Sequence, residues 1–174
     1  MLFYPEKLQL IALRLHPQVY RNNFDRMDDI FSVNALRLIQ SADVFKARLS
    51  GEFGSVHGLS VSEFFLLLHL DNAPLNRLPR VELAKRLHVS ASTVTRMAAP
   101  MEKLGLVGRQ ADDRDARLAF VVLTEAGRTR LSETRTTFSK WAETAFMDRW
   151  EEEELKTLSD LLFRLIAGST ANLT

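Results

Sequence analysis

Small hydroxyl side chains and an arginine are concentrated in one short segment of the 174-residue chain, where residues 90–96 read Ser-Ala-Ser-Thr-Val-Thr-Arg. Small hydroxyls at the start of a helix let it lie close to the floor of a DNA groove, and they bond phosphates or base edges. The arginine can bind guanine through two hydrogen bonds or bind a phosphate. A capped, solvent-exposed helix would show the same pattern, but the elements that follow favour contact with DNA. The predicted DNA-contacting residues of this helix are Ser90, Ser92, Thr93, Thr95, Arg96 and Lys103.

A second group of charged residues follows in a predicted β-hairpin, whose strands are residues 107–109 and 117–123. The tip of the hairpin carries Asp112, Asp113, Arg114, Asp115 and Arg117. Arginine is favoured in a narrow minor groove because the negative potential is concentrated there, so we expect Arg117 to enter the minor groove. Asp115 either holds Arg117 extended by an ion pair or is an ordinary turn residue. Arg114 either contacts the DNA backbone or is solvated.

Two consecutive helices with a short connection are predicted to position these residues. The first begins near Pro79, a residue type favoured in a first helical turn, and Glu82 is spaced to pair with Arg86. The second is capped by the hydroxyl of Ser90 and ends at Gly105. Helical spacing gives the second helix an apolar face of Val94, Met97, Ala98, Met101 and Leu104, and an opposite face of Ser92, Arg96, Ala99 and Lys103.

Longer helices are predicted on both sides of this pair. Residues 28–49 have the apolar spacing of a helix. A loop is then indicated by Gly51, Gly54 and Gly58. A capping box of Ser60 and Glu63 starts a mostly apolar helix, which we expect to be central and buried.

After the hairpin, Thr124 is the expected N-cap of a long helix that ends near Met147. Four carboxylates at 151–154 suit the positive end of a further helix. Its apolar stripe is Leu155, Leu158, Leu161, Leu162, Leu165 and Ile166. The whole pattern predicts a mainly α-helical fold with a small β-hairpin wing: a winged helix-turn-helix lobe plus an α-helical dimerisation region. The predicted boundaries are an N-terminal arm at 1–30, a dimerisation helix and loop at 31–59, the DNA-binding lobe at 60–123 and C-terminal dimerisation helices at 124–174.

The distribution of charge says more than the net charge of +1. Residues 76–117 hold nine basic and five acidic side chains, a net +4, so the rest of the chain carries −3. A basic centre between acidic flanks is expected of a DNA-binding lobe with a separate association surface. The chain has no cysteine, which excludes disulfides and thiolate metal sites.

The motifs ELAKRL, SASTVTR, MEKLGLV and D-x-R followed by LTEAGR have the order and spacing of one known family. The chain resembles the MarR family of bacterial transcription regulators over about residues 32–168. The resemblance implies a homodimer with two winged lobes on a pseudo-palindromic operator in double-stranded DNA. It also implies repression or activation controlled by a small ligand, often an aromatic or phenolic acid. By position, Ser92, Thr93, Thr95 and Arg96 match recognition-helix residues, and Asp115 and Arg117 match the wing motif.

Three features depart from the family pattern. The family wing usually reads Asp-Arg-Arg, whereas Ala116 separates Asp115 from Arg117 here. Pro100 lies within the recognition helix and removes a backbone donor, so we expect a bend after Arg96. The N-terminal arm is longer than the common form. Because one basic contact is absent, a winged-helix dimer that binds another protein and no DNA is the alternative function.

Catalysis is not expected. The four histidines have no metal-ligand spacing, and no nucleophile elbow, P-loop or carboxylate pair is present, so we predict no enzyme, metal or cofactor. The polar candidates for a ligand pocket are Asn34, Arg37 and His69. No apolar run reaches the length of a membrane span, and the N-terminal segment lacks the features of a signal peptide, so a cytoplasmic protein is expected.

Overall fold

The computed structural model describes residues 29–111, 119–147 and 149–167. They belong to two compact units, Met1–Phe45 and Lys46–Thr174. The predicted arm up to residue 28 and the hairpin tip with Arg114, Asp115 and Arg117 lie outside the described residues. The roles assigned to those residues therefore stay predictions.

Helix α1 spans Ile30–His57 and is longer than the sequence predicts. The predicted loop at Gly51 and Gly54 is wrong, because both glycines lie inside the helix. The buried residues of α1 recur every fourth position and are Leu49, Phe53 and His57. Their burial outweighs a glycine penalty of about 1 kcal/mol per residue. The helix ends before Gly58, whose φ of +63° only glycine adopts without strain.

Apart from an unpredicted 3₁₀ helix at Pro74–Asn76, the remaining elements follow the predicted order, with one added strand. They are α2 (Val61–Asp71), β1 (Arg77–Pro79), α3 (Arg80–Arg86), α4 (Ala91–Lys103), β2 (Val107–Ala111), β3 (Ala119–Leu123), α5 (Glu125–Phe146) and α6 (Glu152–Ile166). The capping box of Ser60 and Glu63 is confirmed, as are the N-caps Ser90 and Thr124. Pro79 is the N-cap of α3 and not its first-turn residue.

A three-stranded antiparallel sheet in the order β1–β3–β2 forms the base of the wing. Strands β2 and β3 are the predicted hairpin, with Val107 opposite Leu123 and Ala111 opposite Ala119. Strand β1 was not predicted. It places Leu78 opposite Val121, and both side chains are buried. The fold is mainly α-helical with a small sheet, as the sequence predicts.

The core of the lobe is made by α2, α3, α4, the inner face of the sheet and α5. Its largest fully buried side chains include Leu66, Leu67, Leu70, Leu83, Val94, Met101, Val121 and Leu131. The predicted central position of α2 is confirmed by this burial. Helices α3 and α4 are thus held by apolar contacts on their inner faces, which leaves their polar faces outside.

Helix α5 is joined to the lobe by polar contacts at its first turns. Thr124 Oγ1 lies 2.6 Å from the carbonyl oxygen of Gly105 and 2.9 Å from that of Leu106, which share its one hydrogen, and it accepts from the amide of Gly127 at 3.0 Å. Asp71, at the end of α2, accepts from Arg128 at 2.7 Å and lies 2.9 Å from Arg135. Since Asp71 is only 14% exposed, two guanidinium groups compensate one largely buried carboxylate and fix α5 against α2.

Helix α6 buries no residue within this chain. Its start is the predicted acidic segment, with Glu151 as N-cap and Glu154 closing a capping box. The exposed apolar side chains of α6 are Leu161, Leu162, Phe163, Leu165 and Ile166. An amphipathic helix of this kind needs an apolar partner beyond the residues that the structure describes.

Within the described residues, no single helix is long and apolar enough to cross a membrane. The pair α1 and α2 passes by combined length and composition, but the two helices are bent by 77° at their junction.

Candidate nucleic-acid interface

The connection between α3 and α4 is a tight turn with one residue in the left-handed region. His88 has a φ of +52°, and the amide of Val89 donates to the carbonyl of Ala84 at 3.0 Å. Leu83 of α3 and Val94 of α4 are fully buried. The turn and these two anchors fix the angle between the helices, and they present the N-terminal end of α4 to the outside.

The hydroxyl of Ser90 is the centre of a polar cluster at this end. It accepts from the amide of Thr93 at 3.1 Å, and it lies 2.8 Å from the hydroxyl of Ser92 and 2.9 Å from that of Thr93. The predicted N-cap therefore does more than start the helix. It aligns the hydroxyls of Ser92 and Thr93 on the exposed surface, where they can meet phosphate oxygens or base edges.

The predicted faces of α4 agree with the observed burial, with one exception. Ser92, Arg96 and Lys103 are exposed. Leu104 was expected on the apolar face but is 66% exposed, because it is the C-cap of the helix and its position lies beyond the last turn. Helix α4 runs on through Pro100 to Lys103, and the bend expected after Arg96 stays a prediction.

Arg80 belongs to this surface and was missed by the sequence analysis. It is the first residue of α3, and its Nη1 donates to Thr95 Oγ1 on α4 at 3.1 Å. The hydroxyl of Thr95 also donates to the carbonyl of Ala91 at 3.0 Å. The one sequence signal for Arg80 was its position in the basic segment. Its contact with Thr95, 15 residues further on, forms only when α3 and α4 pack together.

Two ion pairs occupy other basic side chains of the lobe. The predicted pair of Glu82 and Arg86 is confirmed at 3.0 Å. Glu102 of α4 pairs with Arg109 of β2 at 2.6 Å, a contact the sequence analysis did not foresee. Arg80, Arg96 and Lys103 have no carboxylate within ion-pair distance in the described part of the chain. Lys85, exposed on α3, and Arg77, which lies over the Phe120 ring, likewise have none there. These cations are therefore left to compensate an external negative charge.

The three candidates for a ligand pocket lie in two different units. Asn34 and Arg37 are exposed residues of the unit Met1–Phe45, and Asn34 Nδ2 donates to the carbonyl of Ile30 at 2.8 Å. His69 belongs to the second unit and is only 2% exposed. The pocket stays a prediction.

The buried position of His69 has a measurable consequence for stability. Burial lowers the pKa of His69 below its ordinary 6.5, and the positive charges of Arg86 and His88 lower it further. In the described part of the chain its Nδ1 has no hydrogen-bond partner. The neutral form is therefore the one that the folded lobe accommodates.

We expect the free energy of unfolding to fall as pH decreases below 6.5, because the unfolded chain then binds a proton that folded His69 resists. The loss from this one group is at most about 1.4 kcal/mol per pH unit, and it stops below the folded-state pKa. Urea unfolding between pH 7 and pH 5 measures it. His69→Leu should show the shallower decline, and equal declines in both proteins would contradict the assignment.

The geometry described above is matched by proteins of known class. A family model described as the MarR family matches residues 57–118, the segment from the end of α1 to the hairpin tip. The transcriptional repressor YetL of Bacillus subtilis (strain 168) is 35% identical over 113 residues, which cover 62% of this chain and 66% of YetL.

Solved structures extend the match beyond the helix-turn-helix. Sco3205, a MarR family transcriptional regulator from Streptomyces coelicolor solved in complex with DNA, has a TM-score of 0.69 and 27% identity, and the match covers 78% of this chain and 84% of Sco3205. A mutant MarR from E. coli complexed with operator DNA has a TM-score of 0.66 and 26% identity, over 80% of this chain and 99% of that one. Motif, fold and exposed cations thus agree, and the chain belongs to the MarR family of transcriptional regulators, which are not enzymes.

Proposed function

We propose that this protein binds double-stranded DNA sequence-specifically as a homodimer, on a pseudo-palindromic operator, and that it represses transcription until a small ligand releases it. In this proposal α4 lies in the major groove and the hairpin wing reaches the minor groove. The observation that carries the proposal is the exposed face of α4. There the hydroxyl cluster of Ser90, Ser92 and Thr93 lies beside Arg96, a cation without an ion pair in the described residues.

The pattern of ion pairing supports contact with a polyanion. Arg86 and Arg109 are neutralised by carboxylates, whereas Arg80, Arg96 and Lys103 are not. Uncompensated cations on one face release counterions when they meet phosphates, which makes binding strongly dependent on salt. Since relatives were solved with DNA, the alternative of a protein-interaction module without DNA binding is not favoured.

The wing contributes through the residues beyond β2. Arg117 is proposed to enter the minor groove, Asp115 to orient it and Arg114 to add a weaker contact. The base of the wing supports this role, because β2 and β3 are paired along five residues each and α4 is tied to β2 through Glu102 and Arg109. Selection of bound duplexes from a random-sequence pool tests the whole proposal, since it should yield two symmetric half-sites about 10 base pairs apart.

The homodimer is proposed to form through residues 1–49 and the helices after Thr124. Apolar side chains that are exposed among the described residues support it on both segments. On α1 they are Ile30, Phe31, Leu38, Ile39 and Val44. On α6 the most exposed is Leu165, at 67%.

Multi-angle light scattering at micromolar concentration should therefore give the mass of a dimer. The double variant Leu161→Glu, Leu165→Glu should shift the mass to that of a monomer, because it places charge on an apolar contact surface. Ser159→Glu, the same charge at a polar position of α6, should stay dimeric. A monomer mass for the unaltered protein would rule out the homodimer.

The ligand is proposed from the family resemblance and from the name of YetL as a repressor. Asn34, Arg37 and His69 are the proposed polar contacts for a small aromatic or phenolic acid. A thermal-shift screen of aromatic acids tests this part, because a compound that binds only the folded chain raises the Tm. No shift with any acid at millimolar concentration would remove such a ligand from the proposal.

A further inference from the structure

Arg80 and Thr95 are connected across the two helices of the DNA-binding pair. The Nη1 group of Arg80 donates to Thr95 Oγ1 at 3.1 Å, and the contact is partly buried. Thr95 is on the recognition helix α4, one residue before Arg96, and is itself half-buried. The groups of Thr95 that can contact DNA therefore depend on a side chain of α3.

The hydrogen bonds of the Thr95 hydroxyl decide what it can offer to a base. A hydroxyl has one hydrogen and two acceptor lone pairs. The hydrogen is committed to the carbonyl of Ala91 at 3.0 Å, and one lone pair is occupied by Arg80. Thr95 consequently cannot donate to the acceptor atoms that guanine, adenine and thymine show in the major groove. The γ-methyl group of Thr95 takes no part in these hydrogen bonds.

Unlike the Thr95 hydroxyl, the Arg80 guanidinium has hydrogen-bond donors that remain unused among the described residues. It carries five N–H donors, and its contact with Thr95 is the one side-chain hydrogen bond it makes in the described part of the chain. No carboxylate among the described residues lies within 4.0 Å of it, so its charge is uncompensated there. A guanidinium with unused donors beside a recognition helix matches the fork geometry of a phosphate.

We propose that Arg80 and Thr95 act as one specificity unit: Arg80 binds a backbone phosphate at the edge of the major groove and holds the Thr95 hydroxyl, so that Thr95 reads a thymine through methyl contact. This inference rests on the proposed sequence-specific DNA binding. It adds a positioning residue on α3 and assigns one base of each half-site to an apolar contact.

The test uses the full-length protein and a preferred duplex selected from a random-sequence pool. Each thymine is replaced in turn by deoxyuridine, which removes only the 5-methyl group. For the unaltered protein, one position in each half-site should weaken binding about fourfold per substitution, the effect of one buried methyl group. Thr95→Ser keeps the hydroxyl that Arg80 holds but lacks the methyl, and it should lose this penalty. Thr95→Val keeps a methyl but lacks the hydroxyl that Arg80 holds, so it should reduce the penalty.

Arg80→Gln should weaken binding to all duplexes and lower the salt slope by about one per half-site. It should also reduce the deoxyuridine penalty, because Thr95 is no longer held from α3. Lys140→Gln, an equal loss of charge on α5, should change neither quantity once light scattering has shown that this variant is still a dimer. Thermal unfolding of each variant checks that the lobe is folded.

Several results would overturn the inference while leaving DNA binding intact. They are a deoxyuridine penalty that Thr95→Ser retains, a penalty that Thr95→Val leaves unchanged, or an Arg80→Gln variant with the salt slope or the penalty unchanged. Failure of the proposed function itself looks different, because the unaltered protein would then select no preferred duplex from the pool.

Discussion

Replacing Gly127 by alanine is expected to lower the free energy of unfolding by about 3 kcal/mol, the upper part of the range for overpacked cores. A Cβ at this position would lie 2.0 Å from the carbonyl oxygen of Leu106 and 2.9 Å from the Leu123 side chain. The Leu106 carbonyl cannot move aside freely, because it accepts from the amide of Thr124 and shares the hydrogen of the Thr124 hydroxyl with the Gly105 carbonyl. The added methyl must therefore separate α5 from the end of the lobe or break its N-cap.

The matched control is Gly54→Ala in the interior of α1. A Cβ there meets nothing within 4 Å, and alanine favours a helix over glycine by about 1 kcal/mol. Urea unfolding of both variants should thus give shifts of opposite sign. A small effect at Gly127, similar in size to that at Gly54, would show that the close approach of α5 to Leu106 is absent.

Arg96→Ala is expected to weaken binding to the preferred duplex by about 1–3 kcal/mol if Arg96 contacts a base. Arg96 is exposed on α4, one turn beyond the hydroxyl cluster, and no carboxylate in the described residues competes for it. A base contact would be lost on the preferred duplex and much less on a scrambled one. A phosphate contact would be lost equally on both.

Fluorescence anisotropy titrations on the two duplexes distinguish these contacts. Lys140→Ala removes a cation from an exposed position of α5, outside the proposed DNA interface, and serves as the control once light scattering has shown that it is still a dimer. If Arg96→Ala binds both duplexes as tightly as the unaltered protein does, Arg96 does not belong to the interface.

Features set by local chemistry could be predicted from the sequence. The caps at Ser60, Ser90 and Thr124 were correct because each depends on a hydroxyl within three residues of the amide it accepts from. The pair of Glu82 and Arg86 was correct for the same reason, since four residues is one helical turn. The family motifs also predicted the order of the helices and strands.

Features set by packing between distant segments could not be predicted. Gly51 and Gly54 indicate a loop locally, but burial of Phe53 keeps them in α1. The three residues of β1 are too few to show alternation, and they form a strand because β3 pairs with them. The contact of Arg80 with Thr95 likewise exists only once α3 and α4 are packed together.

The glycine of the LTEAGR motif shows the limit of recognition by pattern. Its position was matched to the family from the sequence, but no local rule explains why Gly127 must lack a side chain. The reason is the approach of the Leu106 carbonyl from the turn after α4. A motif can therefore identify a family before the steric reason for one of its residues is known.

The central claim is that α4 reads DNA sequence from a surface of uncompensated cations. A titration of the unaltered protein with its preferred duplex and with a scrambled duplex, repeated from about 50 to 200 mM salt, tests it most directly. We predict that affinity falls linearly with the logarithm of salt on both duplexes and that the preferred duplex binds at least 10³-fold more tightly at physiological salt, about the lower limit for specific DNA-binding proteins. Equal affinities for the two duplexes, or binding that salt leaves unchanged, would contradict the claim.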